Sequence, residues 1–116
     1  MTDITTFAAT WIADWNAHDV EKILSHYALD VVFHSPRVAR FTKGALTRFE
    51  GREQLRPYFT FAFQWRPNLH FDLLSECQDA KGLALIYRDE TGATAVEVMD
   101  LNAAGQVVFA RVLYDL

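Results

Sequence analysis

The residue with the clearest chemical potential is Glu97, which lies inside the apolar run TAVEVMDL. A carboxyl group in the middle of an apolar strand is costly to bury unless it is paired or protonated. We expect Arg88 to lie diagonally across from Glu97 on the same face of a sheet, within reach of a long side chain. Two interpretations stay open: a structural Glu97–Arg88 ion pair, or a ligand-facing acid with a shifted pKa.

A second candidate for proton transfer is His34, which ends a predicted strand next to Ser35. Histidine titrates near neutral pH and can act as a general base. Strict alternation along the strand turns Phe33 and Ser35 inward and His34 away, whereas a bulge would reverse this. Glu97 and His34 are therefore the candidate catalytic residues, although a structural role at the strand end is the more common one for such a histidine.

Motifs for metals and cofactors are absent from the sequence. His70 and Asp72 share a polar strand face, but two such side chains are a weak metal signal. No H-x3-H, HExxH, Gly-rich phosphate loop or G-x-S-x-G motif is present. We expect neither a metal nor a cofactor.

The composition favours one soluble domain. A length of 116 residues suits a single domain, 1–116, and nine Phe, four Tyr and three Trp can fill a core or line a cavity. The net charge of −4, with no basic run, argues against nucleic-acid binding. No apolar window is long enough to span a membrane, and Cys77 is the only cysteine. A cytoplasmic location is expected.

Helices come first in the chain. Apolar residues at helical spacing, among them Ile4, predict a helix over 3–17 with Asp3 as its N-cap. Asp19 is expected to cap a second helix, whose apolar face includes Tyr27. Residues 51–65 predict a third helix, kinked or broken near Pro57. Between the second and third helices, a strand from about residue 30 is predicted to end at Pro36. The stretch 37–50 is interpreted as a loop or short irregular hairpin over the mouth of the fold.

Strands follow the helices. Four are predicted, over 69–77, 83–90, 93–101 and 106–114, and short turns between them predict an antiparallel meander. The fold class is therefore α+β. If Thr91-Gly92 is a two-residue turn, Ile86 opposes Glu97. A hairpin centred on residues 103–104 would likewise place Ala110 opposite Glu97 and Val108 opposite Met99.

Both faces of this sheet are apolar, so both need to be covered, and the helices can cover only one. The expected partner is a second copy of the chain. It would lie on the face formed by Leu85, Val96, Val98, Phe109 and Leu113.

The sequence resembles the nuclear-transport-factor-2-like superfamily, and within it the SnoaL-like group. Four segments carry the resemblance: W-x3-W-N-A-H-D-V-x2-I-L-x2-Y-A-x-D-V-V-F-H-S-P, then G-R-E-Q-L-x2-Y-F, then P-N-L-x-F, then E-V-M-x-L-N-x2-G. The resemblance implies a cone-shaped fold, with a strongly curved antiparallel sheet wrapped around helices and an apolar pocket between them. It also implies a homodimer through the outer sheet face. It does not imply one activity, because this scaffold hosts isomerases, cyclases, hydrolases, dehydratases and non-catalytic modules.

Ketosteroid isomerases, which are relatives in this superfamily, give a mixed comparison. Their general-base aspartate falls on Ser35 and their oxyanion-hole tyrosine on Trp11. Of two supporting tyrosines, one is kept as Tyr27 and one is replaced by Phe59. Their protonated oxyanion-hole aspartate falls on Glu97. The base is therefore missing, and steroid isomerisation is not predicted.

Two functions remain open. One is a cofactor-independent enzyme that acts on a small apolar or polycyclic molecule by proton transfer; the other is a non-catalytic binding or dimerisation module. In both, we expect a pocket between the first helices and the sheet face that carries Glu97. Its expected ligand-binding residues are Trp11, Tyr27, Ser35, Phe59, Arg88 and Tyr114.

Overall fold

The computed structural model describes residues 3–115, except for the side chain of Ile4. Helices and strands follow one another in the order α1, α2, β1, α3, β2, α4, β3, β4, β5, β6, and the predicted α+β class is confirmed. The helices are α1 Ile4–Asn16, α2 Val20–Leu24, α3 Pro36–Phe41 and α4 Arg52–Trp65. The strands are β1 Tyr27–His34, β2 Arg48–Glu50, β3 Asp72–Gln78, β4 Gly82–Arg88, β5 Thr94–Leu101 and β6 Val107–Tyr114.

Both predicted caps of the first helices are present. Asp3 Oδ1 accepts a hydrogen bond from the amide of Thr5 at 2.9 Å, and Asp19 Oδ1 accepts one from Lys22 at 3.1 Å. These bonds satisfy amides that have no partner within the helix. The spacing predicted that Tyr27 belongs to the apolar face of α2, and this is wrong. The chain is already extended at Tyr27, where β1 begins.

Residues 37–50 contain a helix that the sequence did not predict. Ser35 Oγ accepts from the amide of Arg37 at 3.2 Å, and Pro36 occupies the first helical position, where its missing N–H costs nothing. The resulting α3 has only six residues, too few to show a helical period. Strand β2 then pairs with β1, with Phe49 opposite Phe33.

The third predicted helix, α4, continues through Pro57 as one element, so the prediction of two separate pieces is wrong. Pro57 removes the hydrogen bond that the carbonyl of Glu53 would accept. Burial of Leu55 and Phe59 on either side of the proline holds the helix against the sheet and offsets this loss.

The six strands form one mixed, curled and unclosed sheet in the order β2-β1-β6-β5-β4-β3. Strands β1 and β6 are parallel, and all other neighbours are antiparallel. The predicted meander over the last four strands is thus confirmed. Helices cover the concave face, which we call the inner face. The largest fully buried side chains of the core between helices and sheet include Trp11, Tyr27, Phe59, Leu85 and Met99.

The predicted register between β4 and β5 is wrong by one residue. Leu85, and not Ile86, opposes Glu97, and Arg88 opposes Thr94. The turn spans five residues rather than two, because Asp89 organises it. Asp89 Oδ1 accepts from the amides of Thr91 and Ala93 at 2.9 and 3.1 Å and from the Thr91 hydroxyl at 2.6 Å. A shift of one residue turns every side chain of β4 to the opposite face.

Strand β6 is displaced by two residues from its predicted position. Val112 opposes Glu97 and Ala110 opposes Met99, so the predicted partners Ala110 and Val108 are wrong. A shift of two preserves the faces. An irregularity between Asp100 and Leu101 then brings Val107 into the core.

The outer face of the sheet lies away from the helices and carries an apolar patch beside the exposed Arg88 and Arg111. Val96, Val98 and Phe109 are partly exposed and Leu113 is 40% exposed. Leu85, predicted on this face, is instead fully buried on the inner one. No helix within residues 3–115 is both long and apolar enough to cross a membrane.

We predict that Asp89→Ala lowers the free energy of unfolding by about 2 kcal/mol, because its largely buried carboxylate loses three hydrogen bonds within the turn and a fourth from Arg66. Urea denaturation measures this loss. Asp79 is a suitable comparison, because it accepts two amide hydrogen bonds in the next turn upstream but is fully exposed. An Asp79→Ala variant that loses as much stability as Asp89→Ala would contradict the assignment.

Candidate functional site

A cavity of about 470 Å³ lies between α4, α3 and the inner face of the sheet. This size is within the range of pockets that hold drug-sized molecules. Its walls are mainly aromatic. They comprise Trp15, Phe33, Phe41, Tyr58, Phe59, Phe61, Ala62, Trp65, Leu69, Phe71, Tyr87, Val112 and Tyr114, together with Glu97, Arg37, Arg40, Lys43 and Arg66. Arg40, Lys43, Phe61 and Trp65 are exposed, and this side is the mouth.

Glu97 is the acidic residue in the cavity wall. It lies on β5 between Leu85 and Val112, and only 4% of its surface is exposed. Burial raises the pKa of Glu97 to about 7, and the hydroxyls of Tyr87 and Tyr27 oppose the rise. No lysine, arginine or histidine nitrogen of residues 3–115 lies within ion-pair distance of it. Near neutral pH both forms of this carboxyl are therefore populated.

Two buried tyrosine hydroxyls and an indole form a hydrogen-bonded cluster next to Glu97. Tyr87 donates a hydrogen bond to Glu97 Oε1 at 3.1 Å, and Trp11 Nε1 donates to the Tyr27 hydroxyl at 3.3 Å. Ring contacts hold Tyr87 in place, with centroids 4.3 Å from Phe71 and 5.6 Å from Trp11. Burial raises the pKa values of Tyr27 and Tyr87 far above the usual range, and the Glu97 charge adds to the rise. Both tyrosines therefore remain hydrogen-bond donors at any ordinary pH.

Trp15 forms part of the cavity wall through its ring. The residue is 7% exposed, and its indole N–H is a buried side-chain donor without a partner among the described residues, inaccessible from the cavity. Rings of Phe59 and Phe71 pack against it at 4.9 and 5.4 Å. A buried donor left unpaired is costly, typically by about 1–3 kcal/mol.

Two tyrosines line the wall next to α3. Burial raises the pKa of Tyr114, and the Arg37 guanidinium, 3.9 Å above its ring centroid, opposes the rise. Tyr58 shows the same direction for the same principal cause, and the Ser35 side chain acts on both phenols.

The structure brings most of the predicted site residues together, but in two layers. Phe59 and Tyr114 line the cavity as predicted. Trp11 and Tyr27 are fully buried behind Glu97 rather than beside the cavity. Ser35 is 5% exposed and caps α3.

Two predicted residues lie outside the cavity. Arg88 is exposed on the outer face, because the five-residue turn reverses the orientation of β4. The expectation that Arg88 shares a face with Glu97 is therefore wrong, and of the two open interpretations the Glu97–Arg88 ion pair is excluded. His34 also faces away, and its ring lies 5.4 Å from Phe109 on the outer face. The register shift in β1 falls before Val32, so strict alternation holds at its end and no bulge turns His34 inward.

Several cavity residues have no clear signal in the sequence. A two-residue turn at Thr91-Gly92 would turn Tyr87 to the opposite face, and the aromatic residues Trp15 and Tyr58 are more typical of a packed core. Arg37 and Arg40 fall within the stretch 37–50, whose pattern predicts a loop. The spacing of these arginines, three residues apart before Phe41, is the one signal that a short helix at the mouth could have given. Within the described residues, no cluster of three His, Cys, Asp or Glu side chains could hold a metal ion.

Comparisons with known proteins agree on one family. The SnoaL-like domain profile matches residues 8–112. No protein of curated function matches the sequence. A crystal structure of a SnoaL-like protein of unknown function from Burkholderia thailandensis superimposes with a TM-score of 0.92 at 33% identity, covering 100% of this chain and 99% of that one.

Two further structures are similar in fold alone. A candidate isomerase of the SnoaL-like family from Agrobacterium tumefaciens gives a TM-score of 0.76 at 22% identity, covering both chains completely. A candidate ketosteroid isomerase from Kribbella flavida gives 0.73 at 16% identity, covering 96% of this chain and 76% of that one.

Replacing Glu97 with Gln should remove a pH dependence of stability. The pKa of Glu97 is about 7 in the folded protein against 4.5 for an ordinary glutamate, so the folded state holds the proton more tightly. This contribution is complete below pH 4.5 and is lost as the pH rises to about 7. It corresponds to about 3 kcal/mol.

We therefore expect the free energy of unfolding of Glu97→Gln, minus that of the wild type, to increase by about 3 kcal/mol from acidic to mildly alkaline pH. Urea denaturation across that range measures it. Asp30→Asn, which removes an exposed carboxylate, is the matched control and should show no such trend. A stability difference between Glu97→Gln and wild type that is constant with pH would refute the raised pKa.

Proposed function

Because this chain belongs to the SnoaL-like domain family, we propose that it binds a small, largely apolar molecule in the aromatic cavity and transfers a proton on it through Glu97. The observation that carries the proposal is a buried carboxyl with a pKa of about 7 in the wall of that cavity. A general acid or base is most effective when its pKa lies near the working pH. The reaction class is cofactor-independent isomerisation, cyclisation or hydrolysis.

A single titrating group favours a reaction in which the proton is returned. Among the described residues that line the cavity, Glu97 is the only carboxylate and none is a histidine. In a ketone with a C=C bond one carbon further on, the ionised carboxylate would take a proton from the carbon between the two double bonds, and the electron pair would move onto the carbonyl oxygen to give a dienolate. The protonated Glu97 would then return the proton to the far carbon of the C=C bond, while the electron pair on oxygen re-forms the C=O and the C=C bond becomes conjugated with it. Isomerisation meets this balance without a second base.

Tyr87 positions the group that moves the proton. Its hydroxyl donates a hydrogen bond to Glu97 Oε1 at 3.1 Å and so orients the carboxylate.

The experiment uses hydrogen–deuterium exchange on ligands. Apolar cyclic and polycyclic ketones would first be screened for binding by saturation-transfer NMR, and each binder would then be incubated with the protein in D2O. We expect accelerated exchange at the α-carbon of at least one binder. Glu97→Gln should lower that rate by about 10²–10⁴-fold while binding persists. Asp30→Asn should leave the rate unchanged.

The alternative is a non-catalytic binding module of the same fold. It is favoured by Ser35, which occupies the expected base position and caps α3 instead of facing the cavity. Ketones that bind in the cavity but exchange no faster than in buffer would support this alternative and refute catalysis.

We further propose that the outer face of the sheet joins two copies of the chain. The supporting observation is the partly exposed apolar set Val96, Val98, Phe109 and Leu113, on the side away from the helices. A face of this kind in water is unfavourable, and self-association would cover it.

Leu113→Glu should therefore convert a dimer into a monomer, because it places a charge in the apolar contact. Sedimentation velocity at micromolar concentration measures the change. Leu46→Glu is the matched control, since Leu46 and Leu113 are both 40% exposed and Leu46 lies outside the sheet. A wild-type chain that sediments as a monomer would refute the proposal.

A further inference from the structure

Three cationic side chains lie at the mouth of the cavity. Arg37 and Arg40 are three residues apart on α3, which places them on the same side of the helix. Lys43 lies in the turn that follows the end of α3 at Phe41. All three belong to the cavity wall. The whole chain carries a net charge of −4, so this concentration of positive charge does not reflect its composition.

These cations are not neutralised by the described part of the protein. Neither Arg37, Arg40 nor Lys43 lies within ion-pair distance of an acidic group there. Arg66, the fourth cation of the cavity wall, differs, because it pairs with Asp89 at 3.2 Å and Glu90 at 2.7 Å. Within residues 3–115, the mouth therefore carries positive charge that no ion pair compensates.

The guanidinium of Arg37 is held in a defined orientation at the cavity wall. Its guanidinium carbon lies 3.9 Å from the centroid of the Tyr114 ring, which belongs to the cavity wall. Stacking on an aromatic face orients the guanidinium, whose N–H groups match the two oxygens of a carboxylate. Arg40 and Lys43 are exposed and free to adjust.

The interior has the opposite character. Aromatic side chains form most of the wall, and Glu97 is the one acidic residue among the described residues that line it. An apolar body would be favoured there by burial. A ligand that satisfies both regions has a hydrophobic, ring-containing body and an anionic end.

We infer that the ligand is an amphipathic organic anion, with its apolar body among the aromatic residues and its carboxylate, or a group of similar charge, held by Arg37, Arg40 and Lys43 at the mouth. This inference rests on the proposed function, because it specifies the class of molecule that the same cavity takes. It adds a charge requirement that the apolar wall alone does not impose.

Two fluorescent probes with the same aromatic body separate charge from hydrophobicity. The anion is 8-anilinonaphthalene-1-sulfonate and the neutral compound is N-phenyl-1-naphthylamine. We expect the double variant Arg40→Gln, Lys43→Gln to weaken binding of the anion about tenfold, a change of about 1.4 kcal/mol, and to leave the neutral probe unchanged. Added salt should weaken only the anion, because exposed charges are screened.

Two further variants serve as controls. The double variant Lys22→Gln, Arg88→Gln removes one lysine and one arginine that are exposed outside the cavity, and should affect neither probe. Ala62→Phe fills space in the cavity wall and should weaken both probes. The Ala62 variant therefore tests the location of binding, and the Arg40 and Lys43 variant tests the charge requirement.

The outcomes distinguish failure of the proposed function from failure of the charge requirement. If neither probe binds, or if Ala62→Phe changes neither, the cavity is not the binding site and the proposed function falls together with this inference. If Ala62→Phe weakens both probes but the Arg40 and Lys43 variant affects them equally, or no more than the Lys22 and Arg88 variant does, the anion requirement is overturned. The apolar binding site would then still stand.

Discussion

Much of this structure is arranged around the burial of one carboxyl group. Glu97 has lost nearly all contact with water, and desolvation outweighs the hydrogen bonding that favours its charged form. The Tyr87 hydroxyl makes that burial tolerable, because it supplies a hydrogen bond that water would otherwise supply. Behind it, Trp11 donates to Tyr27, so that α1, β1, β4 and β5 are joined through one polar cluster.

The arrangement around Glu97 depends on a turn outside the cavity. Asp89 closes five residues between β4 and β5, and the register that follows brings Tyr87 to the same face as Glu97. A two-residue turn would have placed Arg88 there instead. An arginine beside Glu97 would lower the pKa of the carboxyl, whereas tyrosine does so only weakly. One loop residue thus determines whether this glutamate is a structural ion or a group that titrates near neutral pH.

The cavity exists because elements of different kinds meet at an angle. The curled sheet and α4 leave a space that aromatic rings line but do not fill, and α3 places Arg37 and Arg40 along one edge of it. Ser35 fixes the start of α3, since its Oγ accepts a hydrogen bond from the amide of Arg37. The interior is therefore apolar and the mouth cationic, although neither property is visible in the average composition.

The sequence by itself determined the fold class, the two N-caps, α4 and the last four strands, because these depend on local periodicity and on short-range hydrogen bonds. It also identified Glu97, since a charged residue within an apolar strand is conspicuous without any structure. Only the tertiary structure decided what surrounds Glu97. The partners of a strand are fixed by turn geometry, and one residue in the length of a turn exchanged Arg88 for Tyr87. Similarly, α3 is too short to show a helical period in the sequence. The position of its cations at the cavity is therefore visible only in the tertiary structure.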